Sequence, residues 1–428
     1  MSRVPNVSFM SRALDVKLLS LTLNVMALLA GGASLLASVW IVLPAPSRSL
    51  WLVAVAASEW SLYLGALGAL GIVCALMARA AGGGRVLWLP SLIAGSLAIV
   101  FGLYPLASAF VAARAEGVSL SLRQYAEGFV RGVTGGISED ERGTFTTHTF
   151  ATVEGRELRL DVYLPPESVA QSGAAVVVVH GGSWGGGERS DFPRWNLWLT
   201  RQGFAVFDVD YRLSPQPNWL TATGDVKCAV VWVKRHAGEF HISPDRLALL
   251  GRSAGGHLSL LAAYTADDAR LPPSCSEQAS VEESAPVHAD DTGVRAVVSF
   301  YAPTDLVWAY DNPANMRVLD GPETLRRFLG VRPQESAEAL ERYLLASPTS
   351  HVTPRTPPTL LVHGGHDQLV RAENMERLAA RLEESGVPHR KVFLSYAQHG
   401  FDYNFSGWGA QVFRPVLLDF LREHTRPR

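Results

Sequence analysis

Charge is nearly absent from the first part of the chain. The stretches 18–43, 60–78 and 86–113 contain no Asp, Glu, Lys or Arg, so they lack the charged surface of an ordinary soluble domain. Cysteine is scarce as well. Cys74, Cys228 and Cys275 are all that 428 residues hold, which excludes a disulfide-scaffolded fold. Cys74 lies in an apolar run. Cys228 and Cys275 could pair, although spacing alone does not show whether their geometry permits a bridge. Net charge is small, formally −2. Lys and Arg are scattered, without the basic stripe that binding a phosphate backbone requires, so nucleic acid is not expected as a partner.

Each uncharged stretch is long enough, as a helix, to cross a hydrocarbon core of about 30 Å. A secretory signal would explain only the first, whose apolar run is too long for one. The sequence therefore predicts a membrane region over residues 1–114 with transmembrane helices at about 18–43, 60–78 and 86–113. Ser61, Gly65 and Ala69 stand four apart, as a small-residue face for close helix packing or as ordinary Gly/Ala enrichment. Arg3, Arg12 and Lys17 precede the first span, Arg48 is the basic residue of the first loop, and Arg79 and Arg85 flank the second. This bias puts the N-terminus in the cytoplasm and everything after residue 114 on the exoplasmic side, with Arg114 and Arg123 pulling the other way. No span carries an ionisable group and Glu59 stands at an edge, so anchoring is expected rather than transport. Residues 115–143 read as a connector. Val118, Leu122, Tyr125, Phe129 and Val133 have the spacing of an amphipathic helix, ended by Gly135-Gly136 and the acids Glu139, Asp140 and Glu141.

From 144 to 428 the composition becomes that of a soluble domain. Strands are predicted at 144–153 and 157–164, joined by a hairpin at Glu154-Gly155-Arg156. The unbroken apolar run 174–179 marks a strand buried on both faces of a parallel sheet. Further strands are expected at 204–211, 246–250, 294–301, 358–363 and 390–396, and helices at 221–237, 254–264, 372–385 and 411–424. This alternation specifies an α/β fold with a mostly parallel central sheet and ligands at the carboxyl ends of its strands. Two stretches interrupt it. The polar segment 266–293 reads as a surface excursion. The segment 309–350 holds helical patterns at 322–329 and 336–345, where a cap over the site could grow.

The chemistry-bearing motif is Gly251-Arg252-Ser253-Ala254-Gly255, between a short apolar run and a helix. Small flanking residues let a tight strand–turn–helix hold the serine at its tip. The pentapeptide alone is weak, since Gly and Ser are common in turns. A serine hydroxyl needs a base, and the base a carboxylate, in the order Ser, Asp, His, each at a strand end. Asp367 follows the strand at 358–363 and His399 follows the last strand. Ser253, His399 and Asp367 are therefore assigned as nucleophile, base and orienting carboxylate. Asp402 is a rival acid too near His399 in sequence to reach round its ring easily. His363 and His366 flank a strand end but precede a helix, and His257 reads as a packed polar residue. The oxyanion of an acyl-transfer intermediate needs N–H donors, for which Ala254 and the loop Gly181-Gly182 are the candidates. Trp184 is expected to wall the pocket. Asp305 ends a strand as a structural hydrogen-bonder or pocket-lining group.

These motifs, His180-Gly-Gly-Ser-Trp184, Asp210-Tyr-Arg212, Gly251-Arg-Ser-Ala-Gly-Gly-His257 and His363-Gly-Gly-His-Asp367, resemble the α/β-hydrolase superfamily in kind and order. They resemble in particular its hormone-sensitive-lipase-like and feruloyl- and acetyl-xylan-esterase-like carboxylesterases. Ser183 replaces the fourth glycine of the lipase-like loop, so the resemblance is to the His-Gly-Gly-x-Trp branch, which includes formamidases and prenylcysteine methylesterases. It covers residues 144–424 and none of 1–113. It implies an α/β-hydrolase fold and a serine carboxylester hydrolase acting through an acyl-serine on a small-molecule ester, with no metal or cofactor; the uncharged stretches add the expectation that it is membrane-anchored. A transacylase would use the same triad with an alcohol in place of water. A non-catalytic receptor or scaffold on this fold would be expected to lack a triad member. The acyl group, the alcohol and the oligomeric state are not legible.

Overall fold

The computed structural model describes residues 7–134, 144–275 and 291–427. The expected helix break at 135–141 and most of the polar stretch 266–293 therefore lie outside the described residues. The N-terminal region consists of α1 (Val7–Ser38), α2 (Arg48–Glu59), α3 (Ser61–Ala80), α4 (Arg85–Ala115) and α5 (Leu122–Thr134). Among them are three stretches long and apolar enough to cross a membrane, Leu14–Ile41, Ser61–Ala80 and Arg85–Ala115. Leu29, Leu36, Phe110 and Val111 point outward and are exposed, a surface that suits lipid. Between the helices, backbones meet at small residues. A Cβ on Gly68 would lie 2.8 Å from the Gly95 carbonyl, and one on Gly102 2.6 Å from that of Ser61. The small residues thus serve close packing, through Ser61 with Gly65 and also through Gly68 and Gly95.

Helix α2 was not expected, because its apolar run, Leu50 to Ala57, is short and adjoins a span. Ser47 caps it, its Oγ accepting from the Leu50 N–H at 3.3 Å, as a serine at that position commonly does.

The rest of the chain forms one eight-stranded sheet in the order β1-β2-β4-β3-β5-β6-β7-β8. The strands are β1 (Thr146–Val153), β2 (Arg156–Tyr163), β3 (Ala175–Val179), β4 (Ala205–Val209), β5 (Leu247–Arg252), β6 (Ala296–Phe300), β7 (Thr359–Gly364) and β8 (His389–Leu394). β1 and β2 pair antiparallel with each other, and β2 with β4; every other pairing is parallel. β3 to β7 are buried at every position. Helices cover both faces, as continuous apolar strands require. On one side lie α7 (Trp219–Arg235), α8 (Ala254–Tyr264) and α12 (Glu373–Glu384). On the other lie α6 (Pro193–Thr200) and α13 (Trp408–His424). Between β6 and β7 the chain forms three short helices, α9 (Leu306–Asp311), α10 (Gly321–Leu329) and α11 (Ala337–Leu345).

The second core does not stop at the sheet. Ala109 and Ala113 of α4 and Tyr125 of α5 belong to it, and Tyr125 stacks on Trp408 with ring centroids 4.2 Å apart. Closer to the strand ends, His366 Nδ1 is 2.8 Å from the Ile41 carbonyl. The Ala45 N–H donates to Gln368 at 2.7 Å, and its carbonyl accepts from Asn315 at 2.6 Å. The membrane-type helices and the sheet domain are thus packed together along a shared seam.

Cys228 on α7 and Cys275 are joined by a disulfide, with Cα atoms 5.7 Å apart across a separation of 47 residues. Closing a loop of this size restricts the unfolded chain. Cys228→Ser should therefore lower stability by about 2–4 kcal/mol. Thermal unfolding followed by circular dichroism checks this: reductant should lower the wild-type midpoint to that of the variant and leave the variant where it is.

Candidate active site

Ser253 occupies the turn from β5 into α8 with φ 53° and ψ −119°, a conformation that costs a non-glycine residue about 1–3 kcal/mol. Close packing holds it there. A Cβ on Gly251 would strike the Gly255 carbonyl, and one on Gly255 would strike the carbonyls of Val179 and His180 at the end of β3. The two glycines of the motif are thus steric requirements of the turn.

His399, in the loop after β8, reaches Ser253. Its Nε2 is 2.9 Å from Ser253 Oγ, and its Nδ1 is 2.7 Å from Asp367 Oδ2. The side chain of Asp367, after β7, is fully buried. Its Oδ1 accepts the backbone N–H groups of Leu369 and Val370 at 2.8 and 2.9 Å, and His363 Nε2 stands 3.3 Å from its Oδ2. Burial pushes this carboxyl up, but charge on His399 and hydrogen bonds from His363 and His399 outweigh burial and hold it below the usual carboxylate range. A carboxylate so placed keeps a proton on Nδ1 and leaves Nε2 to accept one from Oγ.

Asp402, the rival acid, faces elsewhere. Arg252 Nε and the Tyr301 hydroxyl each donate to it at 2.5 Å, one to each oxygen. The Arg252 guanidinium is caged by Phe192 and Phe300, at 4.1 and 4.9 Å from their ring centres. Asp402 thus fixes the residue before Ser253 and, through Tyr301, the ring that flanks His399 at 4.4 Å.

The loop after β3 lies against the serine. A Cβ on Gly181 would be 3.4 Å from Ser253 Cβ and 3.0 Å from the Arg252 carbonyl. Gly182, Ser183 and Trp184 all have positive φ, at 111°, 53° and 57°. Tyr211 braces the loop from behind, stacked on His180 with centroids 4.3 Å apart and donating to the His180 carbonyl at 3.3 Å. Ala254 is the first residue of α8, where N–H groups have no partner within the helix. Gly181 and Gly182 line the same cavity as Ser253, and Ala254 follows Ser253 in the chain.

Two cavities meet at Ser253. One, of about 60 Å³, is walled mainly by apolar groups, including Trp184, Ala254, Pro303, Leu325 and Val370. The other, of about 520 Å³, holds Gly181, Gly182, Ser253 and His399 and opens outward. Trp184 stacks on Phe328 of α10 at 4.2 Å, and its indole N–H donates to His257 Nδ1 at 3.2 Å. His257 Nε2 lies 2.8 Å from the Ala346 carbonyl, so this histidine is a buried strut linking Trp184 to the helices after β6. Asp305 lines neither cavity. It caps α9 through the Trp308 N–H at 3.0 Å and pairs with Arg377 at 2.7 Å.

Among the residues of the larger cavity that sequence patterns do not point to are Arg48 and Trp51, which α2 contributes, and Arg327 of α10. Ser47 ahead of an apolar run was the available signal for α2.

A sheet with this strand order, carrying a serine at the β5 turn and histidine and aspartate after β8 and β7, is an α/β hydrolase. The chain belongs to the BD-FAE family, whose model matches residues 160–382, just over half of its length. That match contains Ser253 and Asp367 and ends before His399. The chain is 32% identical over 251 residues to the probable carboxylic ester hydrolase LipM of Mycobacterium tuberculosis, covering 58% of this chain and 54% of that protein. To esterase LipC of the same organism it is 31% identical over 250 residues, covering 57% of each. The chain therefore spans about half the length of the curated relatives it matches. The solved esterase Est2 of Thermogutta terrifontis superposes with a TM-score of 0.51 at 23% identity, over 69% of this chain and 96% of that one, a likeness of fold.

The strut at His257 has a consequence for stability. Burial lowers its pKa to about 4, against about 6.5 in the unfolded chain. Between those values the unfolded chain binds a proton that the folded chain does not. The resulting stability is full above about pH 6.5, declines as pH falls to about 4, and amounts to about 3 kcal/mol. Asp208, pushed up to about 7 by burial, acts in the opposite direction over an overlapping range, so the difference between two proteins is the informative quantity. Between pH 7 and pH 4 the stability of wild type relative to His257→Gln should fall by about 3 kcal/mol in denaturant titrations. A difference independent of pH would refute the assignment.

Proposed function

We propose that the chain is a membrane-anchored carboxylester hydrolase that works through an acyl-serine. The observation that carries this reading is the line from Ser253 Oγ through the His399 ring to Asp367, at 2.9 and 2.7 Å. The names of the M. tuberculosis relatives support an ester substrate. Ser253 Oγ attacks the ester carbonyl carbon while His399 Nε2 takes its proton. The tetrahedral oxyanion is met by N–H groups of Gly181, Gly182 and Ala254. His399 returns the proton to the leaving oxygen, the alcohol departs, and acyl-Ser253 remains. Water then attacks the acyl carbon and gives a proton to His399, which passes it back to Ser253 Oγ as the acid is released. Asp367 stays ionised and stabilises the charged ring. The outward-opening cleft favours water over an alcohol as acceptor. Trp184 walls the small cavity, where the acyl group sits.

Residues 1–114 serve as the membrane region, 115–143 as connector, and 144–428 as the catalytic domain, with 309–350 as its cap. The catalytic domain lies on the exoplasmic side. The bias of basic residues toward the N-terminus and second loop supports this. So does the Cys228–Cys275 disulfide, a bond that persists in oxidising compartments.

Two measurements test the proposal. With purified protein and p-nitrophenyl acetate, Ser253→Ala should remove nearly all turnover, and Asp367→Asn should lower kcat by about four orders of magnitude. Full activity in the serine variant would end the hydrolase reading. In sealed vesicles, a C-terminal tag should be cleaved by protease added on the exoplasmic face; cleavage from the cytoplasmic face alone would reverse the orientation.

A further inference from the structure

Helix α2 belongs to the membrane region by sequence, yet it forms a wall of the catalytic cleft. Arg48 and Trp51 line the same cavity of about 520 Å³ as Ser253 and His399. The smaller cavity of about 60 Å³ also touches Ser253, and it has room for only a few water-sized groups. An ester bound at Ser253 therefore places its acyl part in the small apolar cavity and its alcohol part in the large cleft.

The charge of that cleft is one-sided. Arg48 enters from α2 and Arg327 from α10. Both are exposed, and neither makes a hydrogen bond or ion pair with a described residue. The Arg252 guanidinium, in the cleft floor, is paired with Asp402, and its Nη2 has no partner among the described residues. Asp191 is the acidic side chain in the lining, and its carboxylate accepts the Glu188 N–H at 3.3 Å. The Trp51 indole N–H is likewise unpartnered. Guanidinium groups from both halves of the molecule thus line the cleft that also holds Ser253 and His399. Leu43, Leu52 and Val53, beside them, are exposed at 51%, 56% and 37%, an apolar edge that fits the lipid headgroup layer.

We infer that the cleft binds esters whose alcohol part carries an anionic group, a phosphate or carboxylate, presented at the membrane surface, with Arg48, Trp51 and Arg327 as its specificity-determining residues. This rests on the esterase reading above. A guanidinium recognises such an oxyanion by charge-assisted, two-pronged hydrogen bonds. The Trp51 indole adds an apolar face suited to the bilayer interface.

The test uses the full chain in phosphatidylcholine vesicles and two substrate pairs, each an anionic acetyl ester and an uncharged counterpart. The soluble pair is 4-acetoxybenzoate and its methyl ester. The membrane pair is 1-hexadecyl-2-acetylglycerol 3-phosphate and 1-hexadecyl-2-acetylglycerol. In the membrane pair, kcat/KM should favour the anionic ester by about tenfold. Arg48→Gln and Arg327→Gln should each reduce that ratio by about threefold to fivefold, through KM. Arg48→Lys, which keeps the charge but loses the fork, should restore part of it, which a purely structural role would not do. A preference confined to the soluble pair overturns the membrane source. Absence of preference in both pairs, or a ratio unmoved in the two glutamine variants, overturns the inference. Absence of any Ser253-dependent turnover of p-nitrophenyl acetate is a different result: it removes the esterase reading and this inference with it.

Discussion

The tight passage from β5 into α8 constrains everything around it. Ser253 is held at a φ that a side chain disfavours, and it stays there because Gly251 and Gly255 let three pieces of backbone meet with no side chain between them. One of those pieces is the end of β3. The same contact that fixes the serine therefore fixes the glycine loop beside it. Strain in that loop, with Ser183 and Trp184 also at positive φ, persists only because its surroundings over-determine it. Tyr211 behind His180, and Trp184 wedged between His257 and Phe328, are those surroundings.

A second layer of buried charge supports the first. Arg252 and Asp402 pair in a site closed by Phe192, Trp195 and Phe300. A buried pair of this kind is weak grounds for stability. Here its value is positional, since Arg252 adjoins Ser253 and Asp402 holds Tyr301 against the His399 ring. Glu59, at the end of α2, is buried nearby. Burial first, and then the charge of Asp402, push its carboxyl well above the ordinary range. Helix α2 and the loop after β8 therefore meet through a cluster of ionisable groups.

Much of this was legible in the sequence, for reasons that differ by element. Runs such as Ala175–Val179 are uninterrupted and apolar, a pattern that buried parallel strands impose, and they locate the sheet to within a residue or two. Ser253, Asp367 and His399 were legible because each stands just past such a run and the chemistry demands an order. Asp402 ranks below Asp367 on spacing alone, and its partnership with Arg252 spans 150 residues and leaves no local trace. Asp305 shows the limit from the other side: a carboxylate at a strand end can equally be the cap of the next helix. Helix α2 was hidden because apolar residues that face lipid and apolar residues that face protein are the same residues. Only tertiary packing separates Ala54 and Val55, which are buried, from Leu52 and Val53, which are exposed.

The aromatic seam between the two halves holds them at a fixed spacing. Tyr63 lies on Phe129, with centroids 3.7 Å apart, and Tyr125 lies on Trp408 at 4.2 Å. A domain on a flexible leash sweeps a hemisphere and meets whatever diffuses within reach. On the proposed membrane anchoring, a domain clamped in this way would address one thin layer above the lipid, and would exclude substrates whose reactive group stands taller or lies deeper than that layer.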